Sequence, residues 1–300
     1  MSLRLARIRD VNGQTGWAVL CVETGQARWI FGQFADWARK LTRCQSAALE
    51  LCVDALQPGD FSILTPVEPG ARIFGIGLNY LTHLQRLGSA EPPHPLSYMK
   101  PESALVPHLG DILYPAMTQE LDYEIELVAV VGRPLEDDVS AISSLLGYTI
   151  GNDVSARDAG RALGRLDLFT QKAMDKTTPL GPWIALREEA GGDAQPELDM
   201  QLMVNDEVRQ QDNTREMLFP MEELLNYLDA RVKLRAGDLV FTGSTHGVGL
   251  ETGRFLRPGD RVSATVQGIG TLFNVVGNPR RLAESRRVGR LGFPVIATQK

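Results

Sequence analysis

The run LDYEIELVAVV, residues 121–131, concentrates more potential chemistry than any other stretch of the chain. Its first half alternates strictly, which predicts a β-strand. Residues i and i+2 of a strand share a face. Asp122, Glu124 and Glu126 therefore point one way, and Tyr123, Ile125 and Leu127 the other. Glu124 and Glu126 stand about 6.6 Å apart at the usual rise per residue, so both can tilt toward one cation. The acidic face turns apolar at Val128 and Val130, and a metal ion is one remedy for a buried, unpaired carboxylate. The alternative is a half-exposed strand with solvated acids. Asp153, expected at the end of a second strand, offers a third carboxylate. Such a hard, all-oxygen set suits Mg²⁺, Mn²⁺ or Ca²⁺. Zinc is disfavoured, because neither H-E-x-x-H nor paired cysteines occur. Lys172 can neutralise charge or hold a substrate anion beside that site; otherwise it is a solvated lysine. His83 is a candidate acid or base near neutral pH, weighed against a surface role. The loop TGSTHGVG, residues 242–249, offers hydroxyls and backbone N–H groups able to hold a carboxylate or phosphate. It is neither a P-loop nor a nucleophile elbow, and its simplest reading is a glycine turn.

These residues need elements to place them. Tyr148–Ile150 reads as a strand running into Asn152 and Asp153, and residues 158–171 as a helix ahead of Lys172. Gly237-Asp238 leads into the strand LVFTG, which ends in the glycine loop. Arg72–Gly77 is expected as a short strand before LNYLTHLQRLG, which carries His83. Gly75-Ile76-Gly77 begins a dinucleotide fingerprint, but the third glycine is missing, so a Rossmann reading is rejected. Residues 89–95, SAEPPHP, form an irregular loop, either a lid or a connector. Further on, a helix is expected over Ser140–Leu146 and a hairpin around Asn205-Asp206-Glu207. Pro220 opens a helix with Met221, Leu224, Leu225 and Leu228 as its apolar face, and Arg261–Val266 and Thr271–Val276 read as closing strands. Residues 1–69 read as a small α+β unit. It has turns at Asn12-Gly13 and at Glu23-Thr24-Gly25, then a helix over 33–56 from the spacing of Phe34, Trp37, Leu41, Cys44, Ala48, Leu51 and Ala55. From Arg280 the tail holds six Arg or Lys against one Glu and reads as a solvated or subunit-crossing arm.

Composition bounds the function. The 300 residues suffice for a large domain plus a smaller one. Hydrophobic content of 43% and charged content of 23% are ordinary for a globular protein. A net charge of −6 argues against a nucleic-acid surface. No apolar run reaches the ~20 residues of a membrane span, and MSLRLARIRD lacks the apolar centre of a signal peptide. Three sparse cysteines, Cys21, Cys44 and Cys52, fit reduced thiols, so a cytoplasmic location is expected.

Taken in order, the runs GLNYLTH at 77–83, LDYEIEL at 121–127, GYTIGNDVSARD at 147–158, QKAMDKTTPLGPW at 171–183, GDLVFTGSTHGVG at 237–249 and GIGTLFN at 268–274 resemble the fumarylacetoacetate hydrolase family. The resemblance is to its acylpyruvase and 2-hydroxyhepta-2,4-diene-1,7-dioate isomerase branch, and it covers about 70–277. It implies a mixed β fold with α elements, a β-roll core over 70–279 preceded by the small N-terminal α+β domain. By the same resemblance Glu124, Glu126 and Asp153 bind Mg²⁺ or a similar cation such as Mn²⁺ or Ca²⁺. Lys172 is the active-site lysine and His83 the histidine of a catalytic lid. Thr242 and Gly243 contact the substrate carboxylate; Arg157 and Thr245 join the expected substrate-binding set, as does His246, where many members carry a small residue. A homodimer acting on a small 2-oxo or 2,4-dioxo acid is implied. Such an acid chelates a divalent ion through its carboxylate and 2-oxo oxygens, and the ion stabilises the enolate released when the C–C bond breaks. One position departs from the family. Many hydrolytic members carry a glutamate three residues after the lid histidine, where this chain has Arg86, which cannot orient an imidazole as a carboxylate does. Glu91 and His246 are possible substitutes. Hydrolysis of an acylpyruvate or fumarylpyruvate is the leading expectation. The alternatives are an isomerase, decarboxylase or dehydratase, and a 2-oxo acid binding protein that has lost catalysis.

Overall fold

The computed structural model describes residues 3–44, 49–162, 164 and 166–279. Its strands are β1 Leu3–Asp10, β2 Thr15–Cys21, β3 Ala27–Trp29, β4 Phe61–Leu64, β5 Ile73–Gly77, β6 Leu96–Lys100, β7 Leu105–Val106, β8 Asp111–Tyr114 and β9 Leu121–Asp122. Then follow β10 Ile125–Val131, β11 Leu145–Asn152, β12 Ser155–Ala156, β13 Thr178–Leu186, β14 Asp199–Val204, β15 Glu207–Asn213, β16 Leu239–Phe241, β17 Arg261–Val266 and β18 Gly270–Pro279. The helices are short: α1 Phe34–Arg43, α2 Leu81–Leu87, α3 Arg157–Arg161, α4 Leu168–Lys172, α5 Met221–Asp229 and α6 Gly249–Thr252.

Strand β10 is buried at every residue. Its odd-numbered residues Leu127, Ala129 and Val131 join a core built with β14, β17, β18 and α5. Its even-numbered Val128 and Val130 pack with Phe34, Trp37 and Leu41 of α1. A strand covered on both faces reads as a continuous apolar run, which is why the alternation fades after Glu126. The larger sheet runs β3-β2-β1-β13-β11-β10-β16-β5-β6, with β4 added to β1 and β7 to β13; the second runs β15-β14-β17-β18-β8. The fold is thus mixed β with short helices, as expected. The N-terminal strands continue the large sheet, since β1 pairs with β13 at Leu5 and Ile184.

Several expectations shift. The helix expected over 33–56 stops at Arg43. Leu51 and Leu56 instead bridge to Ile30 and Ala27, because the edge at β3 exposes backbone groups that need partners. The helix over 158–171 is two pieces, α3 and α4. Gly164, at φ +69°, turns the chain between them, and Asp167 restarts helix by accepting the Thr170 N–H at 3.1 Å. Over Ser140–Leu146 only a 3₁₀ turn forms, Ala141–Ser144, before β11 begins. The hairpin at Asn205-Asp206 has φ +50° and +67°, the positive pair that a tight two-residue turn demands. The basic tail lies outside the described residues.

Close strand packing gives one stability prediction. A Cβ on Gly147 would sit 1.9 Å from the backbone oxygen of Ala185. Neither strand can give way without losing the β11–β13 ladder. Gly147→Ala is expected to destabilise the fold by about 3 kcal/mol or more, read by denaturant titration.

Candidate metal centre and acid–base pair

Pairing between β10 and β11 builds the site. Ile125 is opposite Asn152, so the next residue, Asp153, lands beside Glu124. Two bonds fix that junction: the Glu124 N–H donates to Asn152 Oδ1 at 2.8 Å, and the Asp153 N–H to the Glu124 carbonyl at 2.8 Å. Oxygens of Glu124, Glu126 and Asp153 lie within 4.8 Å of one another. Exposures of 6%, 1% and 0% place all three out of water.

Three buried cations face these acids. Arg157, opening α3, donates to Asp122 Oδ2 at 2.8 Å and also to Glu124 Oε1. Lys100, on β6, donates to Asp153 Oδ1 at 2.5 Å and to the Lys172 carbonyl at 2.6 Å. Lys172, ending α4, donates to Glu124 Oε2 at 2.5 Å and Asp153 Oδ2 at 2.6 Å. Tyr98 donates its hydroxyl to Asp153 Oδ2. On Glu126, Oε2 accepts the Gly243 N–H at 2.8 Å, while Oε1 is buried with no partner. An orphaned buried carboxylate oxygen is costly, and within an all-oxygen triad it fits a hard divalent cation.

The electrostatics follow from this arrangement. Burial, with Asp153 and Glu124 adding repulsion, raises the Glu126 pKa well above the usual carboxylate range. Burial also opposes ionisation of Asp153 and Glu124, but their lysine and arginine partners outweigh it and hold both below their ordinary values. Burial lowers Lys100. For Lys172 burial acts the same way but is overcome by Asp153 and Glu124, leaving it raised.

His83, on α2, is 5% exposed. Its Nδ1 lies 2.5 Å from Glu251 Oε1, a residue of α6. Glu251 Oε2 accepts the Gly247 N–H at 2.7 Å, which fixes the carboxylate. The partner missing at Arg86 is thus supplied from 168 residues away. Arg86 and Glu91 are both exposed. Helix α6 is itself held by Asp122, which accepts the Gly249 and Leu250 N–H groups at 2.5 and 2.9 Å.

A cavity of about 170 Å³ adjoins the carboxylates; His83, Tyr98, Glu124, Arg157, Lys172 and Ser244 line it. Leu87, Leu96, Leu168 and Leu250 also line it. A wider cleft of about 900 Å³, bounded by Trp17, Trp29 and Phe34, shares none of these residues.

The structure brings Glu124, Glu126, Asp153, Lys172, Arg157 and His83 together. In the glycine loop several polar groups engage the protein itself. The Thr242 hydroxyl donates to the Leu127 carbonyl at 2.9 Å, and the Gly243 N–H goes to Glu126. Thr245 accepts from Gln210 at 3.2 Å and donates to the His246 carbonyl. His246 Nδ1 meets Asp212 at 3.2 Å. These four groups brace the loop, and Ser244 is its member on the cavity wall. Tyr98, Lys100 and Glu251 escape sequence reasoning, while Asp122, grouped with the two glutamates by the alternation, serves Arg157 and α6 instead. Gly75 belongs with the first three: a Cβ there would lie 2.3 Å from Tyr98 Cζ, so the missing side chain makes room for the ring that reaches Asp153.

Fold and site together define a β-rich protein built round a buried carboxylate trio that could hold a divalent cation. A family model described as fumarylacetoacetate (FAA) hydrolase C-terminal matches residues 72–277, and the chain belongs to this family. Its named members include enzymes of several kinds. The oxaloacetate tautomerase YisK of Bacillus subtilis is 34% identical over 257 residues, covering 82% of this chain and 81% of its own. The crystal structure of 2-hydroxyhepta-2,4-diene-1,7-dioate isomerase from Mycobacterium marinum superposes with a TM-score of 0.74 at 31% identity, covering 92% of this chain and 98% of its own. Fumarylpyruvate hydrolase from Pseudomonas aeruginosa, solved with Mn²⁺ and pyruvate, gives 0.62 at 31% identity, covering 72% and 91%. No described helix is long and apolar enough to cross a membrane.

Proposed function

We propose that this protein is a divalent-metal-dependent hydrolase that cleaves a C–C bond in a small 2,4-dioxo acid of the acylpyruvate or fumarylpyruvate type. The observation that carries this reading is the buried His83–Glu251 pair beside the carboxylate trio. Glu124, Glu126 and Asp153 would hold the ion. When bound, a divalent ion supplies Lewis-acid stabilisation of negative charge on the keto-acid oxygens. The cation in the hydrolase relative is Mn²⁺, and Mg²⁺ suits the same oxygen donors.

The side chains do the rest. Glu251 holds Nδ1 of His83, so Nε2 is the ring nitrogen that faces reactants. Nε2 takes a proton from water, whose oxygen bonds to the 4-carbonyl carbon. The C3–C4 bond breaks, its electron pair stays on C3, and the proton returned by His83 completes pyruvate there. The acyl fragment leaves as a carboxylic acid. Arg157 and Lys172 carry positive charge on the cavity wall for the substrate carboxylate.

A second reading is isomerisation or tautomerisation, in which the same pair moves a proton between carbon and oxygen without adding water. The leucines lining so small a cavity favour it, as do the tautomerase and isomerase relatives. Incubation with Mn²⁺ and, separately, acetylpyruvate, fumarylpyruvate and oxaloacetate, followed by NMR of the products, decides. Pyruvate together with acetate or fumarate from the two acylpyruvates supports hydrolysis; keto–enol exchange of oxaloacetate without cleavage supports the second reading. No change in any of the three overturns both.

A further inference from the structure

The geometry points to Lys172 as an internal stand-in for the metal ion: its ammonium occupies the carboxylate trio when no ion is bound and is turned out toward the substrate cavity when one binds. This rests on the reading that the trio holds a divalent cation.

Almost every oxygen of the trio is already engaged. Glu124 gives Oε1 to Arg157 and Oε2 to Lys172. Asp153 gives Oδ1 to Lys100 and Oδ2 to Lys172. The partnerless oxygen in the trio is Glu126 Oε1. An ion that takes all three carboxylates must therefore draw oxygens away from cationic N–H groups. Divalent ions such as Mg²⁺ hold oxygens at about 2.1 Å. Nζ of Lys172 already lies 2.5 and 2.6 Å from one oxygen of each of two members. Two cations cannot share that space, since like charges a few ångströms apart repel by several kcal/mol even at an effective dielectric of about 20.

Which cation yields is decided by what else each one holds. Arg157 is tied to Asp122 as well as Glu124. Lys100 is tied to the Lys172 carbonyl as well as Asp153. Lys172 has no comparable second anchor. Its further contacts are the Asp153 carbonyl at 3.4 Å and the face of Tyr98 at 5.7 Å. It ends the five-residue helix α4 on a flexible four-carbon stem, and it lines the cavity into which it would turn. Loading the ion thus releases an ammonium for a substrate anion. Because linkage is reciprocal, a bound anion that holds this ammonium also tightens the ion.

Isothermal titration of Mn²⁺ into metal-free wild type, Lys172→Met and Lys100→Met tests this. Removing the competing ammonium is expected to tighten Mn²⁺ about tenfold or more, an effect of ~1.4 kcal/mol or above. Lys100→Met, which frees one oxygen of Asp153 but leaves the Lys172 ammonium in place, is expected to tighten it less, and equal tightening in both variants overturns the proposal. Binding by Lys172→Met that is equal to or weaker than wild type overturns the proposal while leaving the metal site intact. Failure of wild type to bind Mn²⁺ overturns the metal reading itself. Should Lys172→Met not fold, a crystal structure of the wild-type protein with Mn²⁺ tests the same exchange. Loss of at least one of the two Nζ–carboxylate bonds supports it, and retention of both overturns it.

Discussion

Glu126→Gln is expected to weaken divalent-ion binding by a hundredfold or more while leaving the metal-free fold as stable as before, or more so. The first half follows from ligand loss. Glu126 contributes the trio's unpartnered oxygen, and even changes outside the ligand set commonly lower metal affinity by about 10–100-fold. The second half follows from charge. Burial and two neighbouring carboxylates keep a proton on Glu126 well above its usual range, and glutamine has the shape of the protonated acid. A group with a raised folded-state pKa stabilises the fold below its unfolded value, and that contribution fades as pH rises through the folded pKa. Glutamine keeps the neutral form at every pH. Titration calorimetry with Mn²⁺ and a thermal melt without metal check both halves. If the melt collapses along with binding, Glu126 is structural. The same displaced proton makes ion affinity rise with pH in the wild type, because the ion takes the ionised carboxylate. Calorimetry in buffers of different ionisation heat is expected to show proton release on Mn²⁺ binding, and none in Glu126→Gln.

The second large effect concerns proton transfer. His83→Ala is expected to lower kcat on the order of 10³-fold, within the usual range for general acid–base catalysis. Glu251→Gln should lower it on the order of 10²-fold, since the amide no longer fixes the imidazole as a carboxylate does. Arg86→Ala, at an exposed position, should stay within a few-fold of wild type. Mn²⁺ affinity should change little in all three variants, which separates the acid–base pair from the carboxylates. Steady-state kinetics on whichever acid is turned over gives the comparison. Full activity in Glu251→Gln would remove the pair from the chemistry.

Part of the site is legible in the sequence because it is local. Glu124 immediately precedes β10 and Glu126 lies within it, and the two-residue spacing of the extended run turns both toward Asp153. Asp153 follows an apolar strand that pairs naturally with the first. The rest depends on contacts between distant segments. Tyr98 and Lys100 also alternate on a strand, with Met99 between them largely exposed, but nothing in Ser97–Pro101 announces an acid to meet. Glu251 lies beyond the glycine loop, far from the histidine it orients. Gly75 resembles half of a nucleotide fingerprint, and its purpose is to leave space for an aromatic ring. Apolar spacing overstates helix length wherever it continues past a point at which tertiary pairing captures the backbone, as at Leu51 and Leu56.

Asp122 neither joins the trio nor lines the cavity, yet it grips Arg157 on one side and the start of α6 on the other. The two machineries therefore hang from a common hinge pin. A disturbance there cannot be confined to one of them: loosening Arg157 frees Glu124, and loosening α6 lets Glu251 drift from the imidazole. Drift in this lineage toward a new reaction should accordingly alter the leucines of the cavity long before it touches this aspartate.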